Sequence, residues 1–483
     1  MCRLVSLFSL VPRSRARART SGKTRWIRRG RRARVDGIDA RARRMEDDSS
    51  KEMLFAGMDF GTSSARLCVV DRDGALVRST TASYASMDDI AASWKRAMGE
   101  LLDCLSDSER ARVQGVSVDG TSGTVVIVDG ETGEALREPY MYNETFPEES
   151  ARVRAQRNGS GTDSTESASS AACKVSRWFH VDGDERDRAR AVMLHHADWL
   201  AFDLHGKMGM SDFNNALKLG FDPAPDVESF PRWLLDAPYG KMLPNDVRPP
   251  GTSFGVVQAS AVERFGLSPT CEVIAGTTDS VAAFIASSAD AAGECATSLG
   301  STLALKLISD VRVEDLSSGV YSHRLNGRWL VGGASNLGGW ILRRFFKDDE
   351  VATLSEKIAR ERYVATKDYF EGVMLGFGIS VDDAVAIVED SRPADDAQFV
   401  VNILSSIANV EARCYERMMT LGASNRAHKV FTAGGGAKND VWSNIRSTAL
   451  GGVPVVRSAR DEAAYGAALL ARQGRLRLST YVP

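Results

Sequence analysis

Cysteine and histidine are scarce in this chain of 483 residues, which contains seven cysteines and six histidines. The cysteines are odd in number and widely scattered, and they form no CxxC pair and no zinc-ligand spacing. The histidines show no metal-ligand spacing either. These absences argue against a disulfide-stabilised secreted domain and a structural metal site, and they favour a reducing compartment.

Long apolar runs are also absent. No segment approaches the roughly 18 consecutive apolar residues that a membrane-spanning helix needs, so we expect no membrane partner. Hydrophobic residues make up 43% of the chain and charged residues 26%, as in ordinary soluble globular proteins. Because a single core stops growing at roughly 250 to 300 residues, the length predicts two lobes.

The small net charge of −2 conceals a basic N-terminal extension. Residues 1–52 carry 16 Lys+Arg against 6 Asp+Glu, a net charge of +10, and the remaining residues carry −12. An extension rich in Arg, Ala and Ser, without acidic residues in its first 35 positions, is typical of an organellar transit peptide. The alternatives are an arm that binds nucleic acid through RRGRRAR (28–34), a solvated extension and a misassigned start.

The first part of the remaining chain reads as strands followed by a helix. Three short strands joined by tight turns are predicted between residues 54 and 81. An amphipathic helix with Ser86 as its N-cap comes next. A fourth strand (113–118) then ends in the loop DGTSG (119–123).

The second part repeats this arrangement more loosely. Residues 297–308 predict two strands around a Gly-Ser turn, and 321–331 predict a hairpin with Asn-Gly at its tip. A long helix is predicted at 396–421, and the strand at 429–432 runs into AGGGAKN (433–439). Two units of this kind predict an α/β protein of two lobes with a cleft between them.

A first candidate phosphate site lies in GMDFGTSSAR (57–66), where a strand turns back on small residues. The backbone N–H groups and hydroxyls of Gly61, Thr62 and Ser63 would surround a phosphate. Asp59 would repel that phosphate unless a cation intervened, so we expect Mg²⁺ at Asp59. The alternative is an ordinary Asx turn in a hairpin.

A second small-residue turn occurs in TSLGSTLAL (297–305). Gly300, Ser301 and Thr302 would offer hydrogen-bond donors to the more distant phosphates of a nucleotide. Many hairpins share this composition, so the turn by itself indicates a hairpin as readily as a binding site.

The glycine run of AGGGAKN is a sharper signal, because three consecutive glycines between a strand and a helix cost backbone entropy. Close approach of a nucleotide to Gly435 and Gly436 would explain them, and a helix N-terminus favours negative charge. Trp442, one turn into the helix, would pack on an adenine ring. The alternative for Trp442 is a core aromatic residue.

A candidate catalytic acid lies in IAGTTDSVAAFIAS (274–287), where an apolar strand meets a helix. Asp279 stands at this junction. It is either an N-cap residue or the general base that accepts a proton from a sugar hydroxyl as that hydroxyl attacks the γ-phosphorus.

Together and in this order, these segments resemble the FGGY carbohydrate kinases from about residue 54 to the end of the chain. The family has two ribonuclease H-like lobes, as actin, sugar kinases and Hsp70 do. DGTSGTV (119–125), SDFNNALKLGFD (211–222), SLGSTLALKL, GVYSHRL and GGASNLGG resemble one branch, the pentulose kinases of plants and cyanobacteria of the D-ribulose kinase type.

The resemblance implies an α/β fold with two ribonuclease H-like lobes, 53–286 and 287–483, around a catalytic cleft. It implies phosphorylation of a ketopentose, D-ribulose above all, by MgATP. Asp59, Ser122 and Asp279 would hold the ketose, and Asp279 would deprotonate its terminal hydroxyl. The ATP contacts that the resemblance implies are Gly300, Ser301, Gly435, Gly436, Asn439 and Trp442.

Two other functions fit the same segments. One is a kinase for D-xylulose or another polyol or ketose, and the other is an actin-like sensor or scaffold that binds ATP without transferring phosphate. The partners expected are a small ketose and MgATP, with no nucleic acid and no membrane. The extension and the plant-type branch together imply a chloroplast protein, with the mitochondrion and the cytoplasm as alternatives.

Overall fold

The structure, a computed structural model, describes residues 53–158, 163–373 and 379–482. These residues belong to the unit that spans Lys51–Pro483. The predicted transit-peptide-like extension, residues 1–52, lies outside the described residues, and its chloroplast targeting stays a prediction. No described helix combines the length and the apolar composition that crossing a membrane requires.

The described residues form sixteen strands. They are β1 (Leu54–Phe60), β2 (Ser64–Val70), β3 (Leu76–Ser83), β4 (Val113–Gly120), β5 (Val125–Asp129), β6 (Ala191–His195), β7 (Met210–Asp212), β8 (Asp246–Arg248), β9 (Ser253–Val256), β10 (Glu272–Ile274), β11 (Glu294–Leu299), β12 (Leu303–Ser309), β13 (Tyr321–Leu325), β14 (Arg328–Ser335), β15 (Lys429–Ala433) and β16 (Val455–Arg457).

The same residues form sixteen α-helices. They are α1 (Ile90–Asp103), α2 (Asp107–Arg112), α3 (Pro147–Arg157), α4 (Ala171–Arg177), α5 (Glu185–Arg188), α6 (His196–His205), α7 (Phe213–Leu217), α8 (Arg232–Leu235), α9 (Ala259–Phe265), α10 (Asp279–Ala286), α11 (Trp340–Phe345), α12 (Asp348–Glu361), α13 (Val381–Asp390), α14 (Asp396–Thr420), α15 (Asp440–Ala449) and α16 (Ala463–Leu476). Short 3₁₀ or π turns occur at Asp163–Glu166, Trp178–Asp182, Gly240–Met242, Leu316–Ser318 and Gly435–Lys438.

Two six-stranded sheets have matching topologies. The first has the order β3-β2-β1-β4-β10-β9, and the second has the order β13-β14-β12-β11-β15-β16. In each sheet an antiparallel run of strands leads to a central strand, β1 or β11, which is followed by two parallel strands, β4 and β10 or β15 and β16. In the first sheet, β9 then pairs with β10 in the antiparallel direction. We call the parts built on these sheets the first and second lobes. The predicted pair of α/β lobes is therefore present.

The local predictions for the first lobe are confirmed within two residues for its strands, but the predicted N-cap of α1 is wrong. Asp89 occupies the N-cap position, and its carboxylate accepts a hydrogen bond from the N–H of Ala92. The hydroxyl of Ser86 instead accepts from the N–H of Asp88 in the preceding turn. The helix therefore begins at Ile90 and not directly after Ser86, because the residues between them form a separate turn.

The last helix of the chain, α16, packs against β1, β4 and α10. The predicted boundaries assign this helix to the second lobe (287–483), yet it covers one face of the first sheet. Glycines permit the close approach: a Cβ on Gly57 would lie 2.0 Å from the nitrogen of Ala468, and one on Gly466 would lie 1.9 Å from the carbonyl oxygen of Ala282. The strand and both helices are therefore in backbone contact.

An apolar cluster joins the two sheets, and we call it the interlobe cluster. Many of its buried members come from the two sheets and from the two helices α10 and α16, among them Phe55, Cys68, Val70, Val281, Phe284, Ile285, Ile308, Leu325, Leu330, Ala464, Ala468 and Leu469. Burial of these side chains stabilises the contact between the lobes, since apolar burial contributes about 25 cal/mol per Å².

We predict that Gly57→Ala destabilises the protein by about 3 kcal/mol or more, because the new methyl group would overlap the backbone of α16. Unfolding in guanidinium chloride, followed by circular dichroism, measures the change. Gly99→Ala is the matched control, since no atom outside its own helix lies within 4 Å of that Cβ position. Alanine there should stabilise α1 by up to about 1 kcal/mol. Equal effects of the two substitutions would contradict the packing described.

Candidate active site

Three carboxylates meet where parallel strands of the first sheet end. Asp59 near the end of β1 pairs in register with Asp119 on β4. Asp279 is the first residue of α10, which follows the next parallel strand, β10. The carboxyl ends of parallel strands lie at one edge of a sheet, the usual place for ligand binding in such folds. The sequence predicted Asp59 and Asp279 here and missed Asp119.

The surroundings of these groups favour their neutral forms. Asp119 is fully buried, and neither of its carboxylate oxygens nor Oδ1 of Asp59 has a hydrogen-bond partner among the described residues. Burial and then the charge of Asp59 hold the pKa of Asp119 well above its usual range. Burial also raises the pKa of Asp59, and burial and the charge of Asp59 raise the pKa of Asp279 to about 6. The three acids therefore need a shared proton or a nearby cation.

Carboxylate oxygens that accept no hydrogen bond are suitable ligands for a divalent cation. Within 53–158, 163–373 and 379–482, no three His, Cys, Asp or Glu side chains are arranged to hold a metal ion by themselves. Mg²⁺ at phosphate sites usually takes one or two carboxylates and completes its shell with phosphate oxygens and water. Asp59, with Asp119 beside it, fits that limited role.

Asp279 is positioned by its own helix and by a link to the second lobe. Thr278 is the N-cap residue of α10, so Asp279 is not; its Oδ1 accepts a hydrogen bond of 2.6 Å from the N–H of Ser280. The Asn214 amide donates to Thr277 Oγ1 at 3.0 Å, and its oxygen accepts from the N–H of Arg324 on β13 at 2.9 Å. Asn214 thus connects the segment before Asp279 to the second sheet.

The loop that follows β4 presents Ser122. Thr121 Oγ1 lies 2.7 Å from Thr124 Oγ1 and 3.2 Å from Nδ1 of His196, and Lys174 Nζ donates to the carbonyl of Gly123 at 2.7 Å. Ser122 Oγ has no hydrogen-bond partner within the described part of the chain. The loop is therefore held in place, and the one predicted substrate-binding hydroxyl on it is free to bind a ligand.

The first small-residue turn is fixed while its side chains remain exposed. The N–H of Gly61 donates to the carbonyl of Ser64 at 3.1 Å, and the Tyr84 hydroxyl donates to the carbonyl of Gly61 at 2.9 Å. Thr62 and Ser63, which the sequence predicts to contact phosphate, are exposed.

The second turn rests on the GGASNLGG segment. The N–H of Gly339 donates to the carbonyl of Gly300 at 2.8 Å, and a Cβ on Gly338 would lie 2.2 Å from the carbonyl oxygen of Ser301. Ser301 and Thr302 are exposed, and a Cβ on Gly300 would meet no atom within 4 Å. The GGASNLGG segment therefore supports the turn, while the side chains of Ser301 and Thr302 remain exposed.

Different steric constraints act on the three glycines of AGGGAKN. Gly434 has φ +83°, and a Cβ there would lie 2.7 Å from the carbonyl oxygen of Leu299. A Cβ on Gly436 would lie 2.6 Å from Cγ of Leu299 and 3.0 Å from Cζ3 of Trp442. At Gly435 the nearest atom is a guanidinium nitrogen of Arg343 at 3.5 Å. Folding thus explains Gly434 and Gly436 and leaves Gly435 open for the approach of a ligand.

A cavity of about 870 Å³ lies between α12 and the AGGGAKN turn. Its lining includes Ser355, Gly435, Gly436, Asn439 and Trp442. The predicted adenosine-contact residues therefore share one cavity, large enough for a nucleotide base and sugar.

Asn439 and Trp442 also have structural roles. Asn439 caps α15 by accepting from the N–H of Trp442 at 3.0 Å, and its amide donates to Ser355 Oγ at 2.8 Å. Trp442 is buried, with its indole N–H donating to the carbonyl of Leu404 at 3.0 Å. Trp442 is therefore a core aromatic residue that also lines the cavity, which is consistent with a structural role and with packing on an adenine ring.

A buried ion pair beneath the second and third turns was not predicted. Arg446 on α15 binds Glu411 on α14 through two hydrogen bonds of 2.6 and 2.7 Å, and each side chain is 1% exposed. Glu411 also accepts from Thr297 at 2.6 Å, and Arg446 donates to Thr432 at 2.7 Å. Since these threonines precede the two turns on β11 and β15, the pair fixes both turns. No sequence pattern indicated this ion pair, because its two residues lie in separate segments.

We predict that Asp119→Asn stabilises the protein at pH 8 by about 1–3 kcal/mol, because the amide cannot ionise and so avoids the cost of a charge that is buried beside Asp59. Because its pKa is raised in the folded state, Asp119 makes wild-type stability fall as pH rises above about 4. The advantage of the variant should therefore grow from pH 4 to pH 8. Guanidinium unfolding across this range measures it, with the exposed Asp226→Asn as control. A pH-independent difference would contradict the prediction.

Comparison with known proteins agrees with this architecture. Residues 301–473 match the family model described as the C-terminal domain of the FGGY family of carbohydrate kinases. A xylulose kinase from Bifidobacterium adolescentis is 20% identical, over 88% of this chain and 94% of that chain, with a TM-score of 0.68.

Two other solved structures are similar over a comparable length. A gluconate kinase from Lactobacillus acidophilus and a Plasmodium falciparum glycerol kinase with ADP are each 16% identical over 88% of this chain and 90% of theirs, with TM-scores of 0.67. Identities this low establish the fold and leave the substrate open. The predicted fold of two actin-like, sugar-kinase lobes is confirmed, and its second lobe contains most of the residues that match the model of the C-terminal domain of the FGGY family of carbohydrate kinases.

Proposed function

We propose that this protein is an ATP-dependent kinase that phosphorylates the terminal hydroxyl of a ketopentose, D-ribulose in preference to D-xylulose. The observation that carries the proposal is the position of Asp279. It begins α10 at the carboxyl edge of the first sheet, beside Asp59 and Asp119, on the side of the first lobe that meets the second sheet.

The acidity of Asp279 suits a general base. With a pKa of about 6 the carboxylate is mostly ionised at pH 7 to 8, yet it binds a proton more readily than an ordinary aspartate. As the sugar oxygen attacks the γ-phosphorus, a new P–O bond forms and the bond to the β-phosphate oxygen breaks. The hydroxyl proton passes to Asp279, and ADP leaves.

Other residues of the first lobe would hold the reactants. Ser122 Oγ, which lacks a partner among the described residues, would bind a sugar hydroxyl. Asp59 would bind the sugar and a magnesium ion. Mg²⁺, when bound, neutralises phosphate charge.

The second lobe would hold ATP. Its base and ribose would occupy the cavity lined by Gly435, Gly436, Asn439 and Trp442, and its phosphates would extend toward Gly300, Ser301 and Thr302. The first-lobe turn at Gly61, Thr62 and Ser63 would approach the phosphates from the opposite side. Closure of the lobes would exclude water, which otherwise competes with the sugar for the γ-phosphoryl group.

The choice of D-ribulose is supported by the sequence strings that resemble the pentulose kinases of plants and cyanobacteria. SDFNNALKLGFD and GGASNLGG take part in the site: the first contains Asn214, which braces the segment before Asp279, and the second supports the Gly300 turn. Two of the strings on which the branch assignment rests therefore support segments that would hold the reactants.

We predict that Asp279→Asn lowers kcat by about 10³-fold with a KM for D-ribulose within about threefold of wild type, because the amide hydrogen-bonds the sugar but accepts no proton. In the wild-type enzyme kcat/KM should rise with pH through about 6, as Asp279 loses its proton. Coupled measurement of ADP release, with direct detection of the sugar phosphate, follows both quantities.

The same assay on D-ribulose, D-xylulose, glycerol and gluconate tests the substrate. Higher kcat/KM for D-xylulose than for D-ribulose would overturn the branch assignment. ATP binding without phosphorylation of any of the four would favour an actin-like sensor or scaffold instead.

We predict that Gly435→Ala raises the KM for ATP about tenfold, roughly 1.4 kcal/mol, and leaves the free energy of unfolding unchanged. The added methyl group meets open space in the protein and would meet the nucleotide. Gly436→Ala is the contrasting variant, because its methyl group would overlap Leu299 and destabilise the fold. Unchanged ATP affinity in a stable Gly435→Ala protein would contradict this nucleotide site.

A further inference from the structure

Two lysines near Asp279 have no role in the function proposed above. Lys306 extends from β12 of the second lobe, and its Nζ lies 3.4 Å from the hydroxyl of Ser280, the residue after Asp279. Lys218 follows α7 in the first lobe and lies against the Ser122 loop. Its Cδ and Nζ are 3.4 and 3.9 Å from the position that a Cβ on Gly123 would occupy.

The second sheet is built to direct Lys306 toward the first lobe. Ile308, on the same face of β12, belongs to the interlobe cluster. The residues beside Lys306 in the sheet are Ala296 on β11 and Gly332 on β14. A Cβ on Gly332 would lie 3.8 Å from Cγ of Lys306. Small neighbours on both sides thus give the lysine stem a slot that leads to α10.

Neither ammonium group forms an ion pair with a carboxylate in the described part of the chain. His323, which faces both lysines, stays neutral because burial holds its pKa well below the usual range. The nearest acid on α10 is Asp279, and the interaction with it opposes the effect of burial, which lowers the pKa of Lys306 to about 8. Both lysines are half-buried, so an anion can still reach them.

We propose that Lys306 and Lys218 together bind the phosphoryl group as it passes to the sugar hydroxyl at Asp279. This inference rests on the proposed kinase function and deepens it. A phosphoryl group that approached Asp59, Asp119 and Asp279 without a counter-charge would be repelled. One ammonium from each lobe supplies that charge on the acceptor side, and the pair is completed only when the lobes meet.

The test compares Lys306→Met and Lys306→Arg in the full-length chain. The methionine variant should lose at least 100-fold in kcat, with the KM for D-ribulose within about threefold, because the charge acts on the transferring group and not on the bound sugar. The arginine variant should recover at least tenfold of that loss. Lys429→Met, a second-lobe lysine that pairs with Glu294 at the other end of β11, is the control and should keep wild-type kcat.

Two further measurements separate a charge effect from a structural one. Wild-type kcat should fall at alkaline pH, near the pKa of about 8 of Lys306. This fall should be absent from the arginine variant, because a guanidinium group stays charged. Ser280→Ala removes the hydroxyl that Lys306 touches and should keep kcat within threefold. If Ser280→Ala were as inactive as Lys306→Met, Lys306 would be a tether between the lobes and the inference would be wrong.

A binding experiment distinguishes this inference from the proposed function. Isothermal titration of D-ribulose 5-phosphate should give at least tenfold weaker binding to Lys306→Met and to Lys218→Met than to wild type. If wild type phosphorylates no sugar but binds the ester through these lysines, the kinase proposal fails and the phosphate site stands. Equal binding to all three proteins, or full kcat in Lys306→Met, would overturn the inference.

Discussion

The register of two parallel strands brings together two of the acids on which the proposed chemistry depends. Because β1 and β4 pair with Asp59 opposite Asp119, two carboxylates lie side by side in a buried position, where neither has a donor in the described structure. A buried like-charge pair raises pKa values and attracts cations. Burial and the charge of Asp59 likewise raise the proton affinity of Asp279 on the adjoining helix.

The second lobe has a similar sheet topology, but different groups lie at the ends of its parallel strands. Its central strand ends in an open glycine turn, and the next parallel strand ends in a second one. Below them, the buried pair of Glu411 and Arg446 joins β11, β15, α14 and α15. Bidentate charge-assisted bonds have a well-defined geometry, so these two turns form a rigid surface. One lobe thus contributes acids without hydrogen-bond donors, and the other contributes two firmly supported glycine turns.

Much of this could be predicted from local patterns. Strand runs of apolar residues, the Asn326-Gly327 hairpin and the periodicity of α14 each reflect a short-range rule, and each is present in the structure. Asp59, Gly435 and Asp279 stand out because polar or glycine residues interrupt apolar segments. Asp119 carries the same signal, an acid at the end of a predicted strand. Lys306 and the Glu411–Arg446 pair could not be predicted, because their significance depends on contacts between segments distant in sequence.

The place of α16 has a consequence for how the chain is made. The first sheet is translated early, yet one of its faces is covered by residues 463–476, which are synthesised only after all strands of the second sheet. On the ribosome that face has no native cover until α16 has emerged, and exposed sheet faces aggregate. Nascent chains of this protein should therefore depend on chaperones until that point, and loss of α16 would damage the first lobe, although the helix follows the second lobe in sequence.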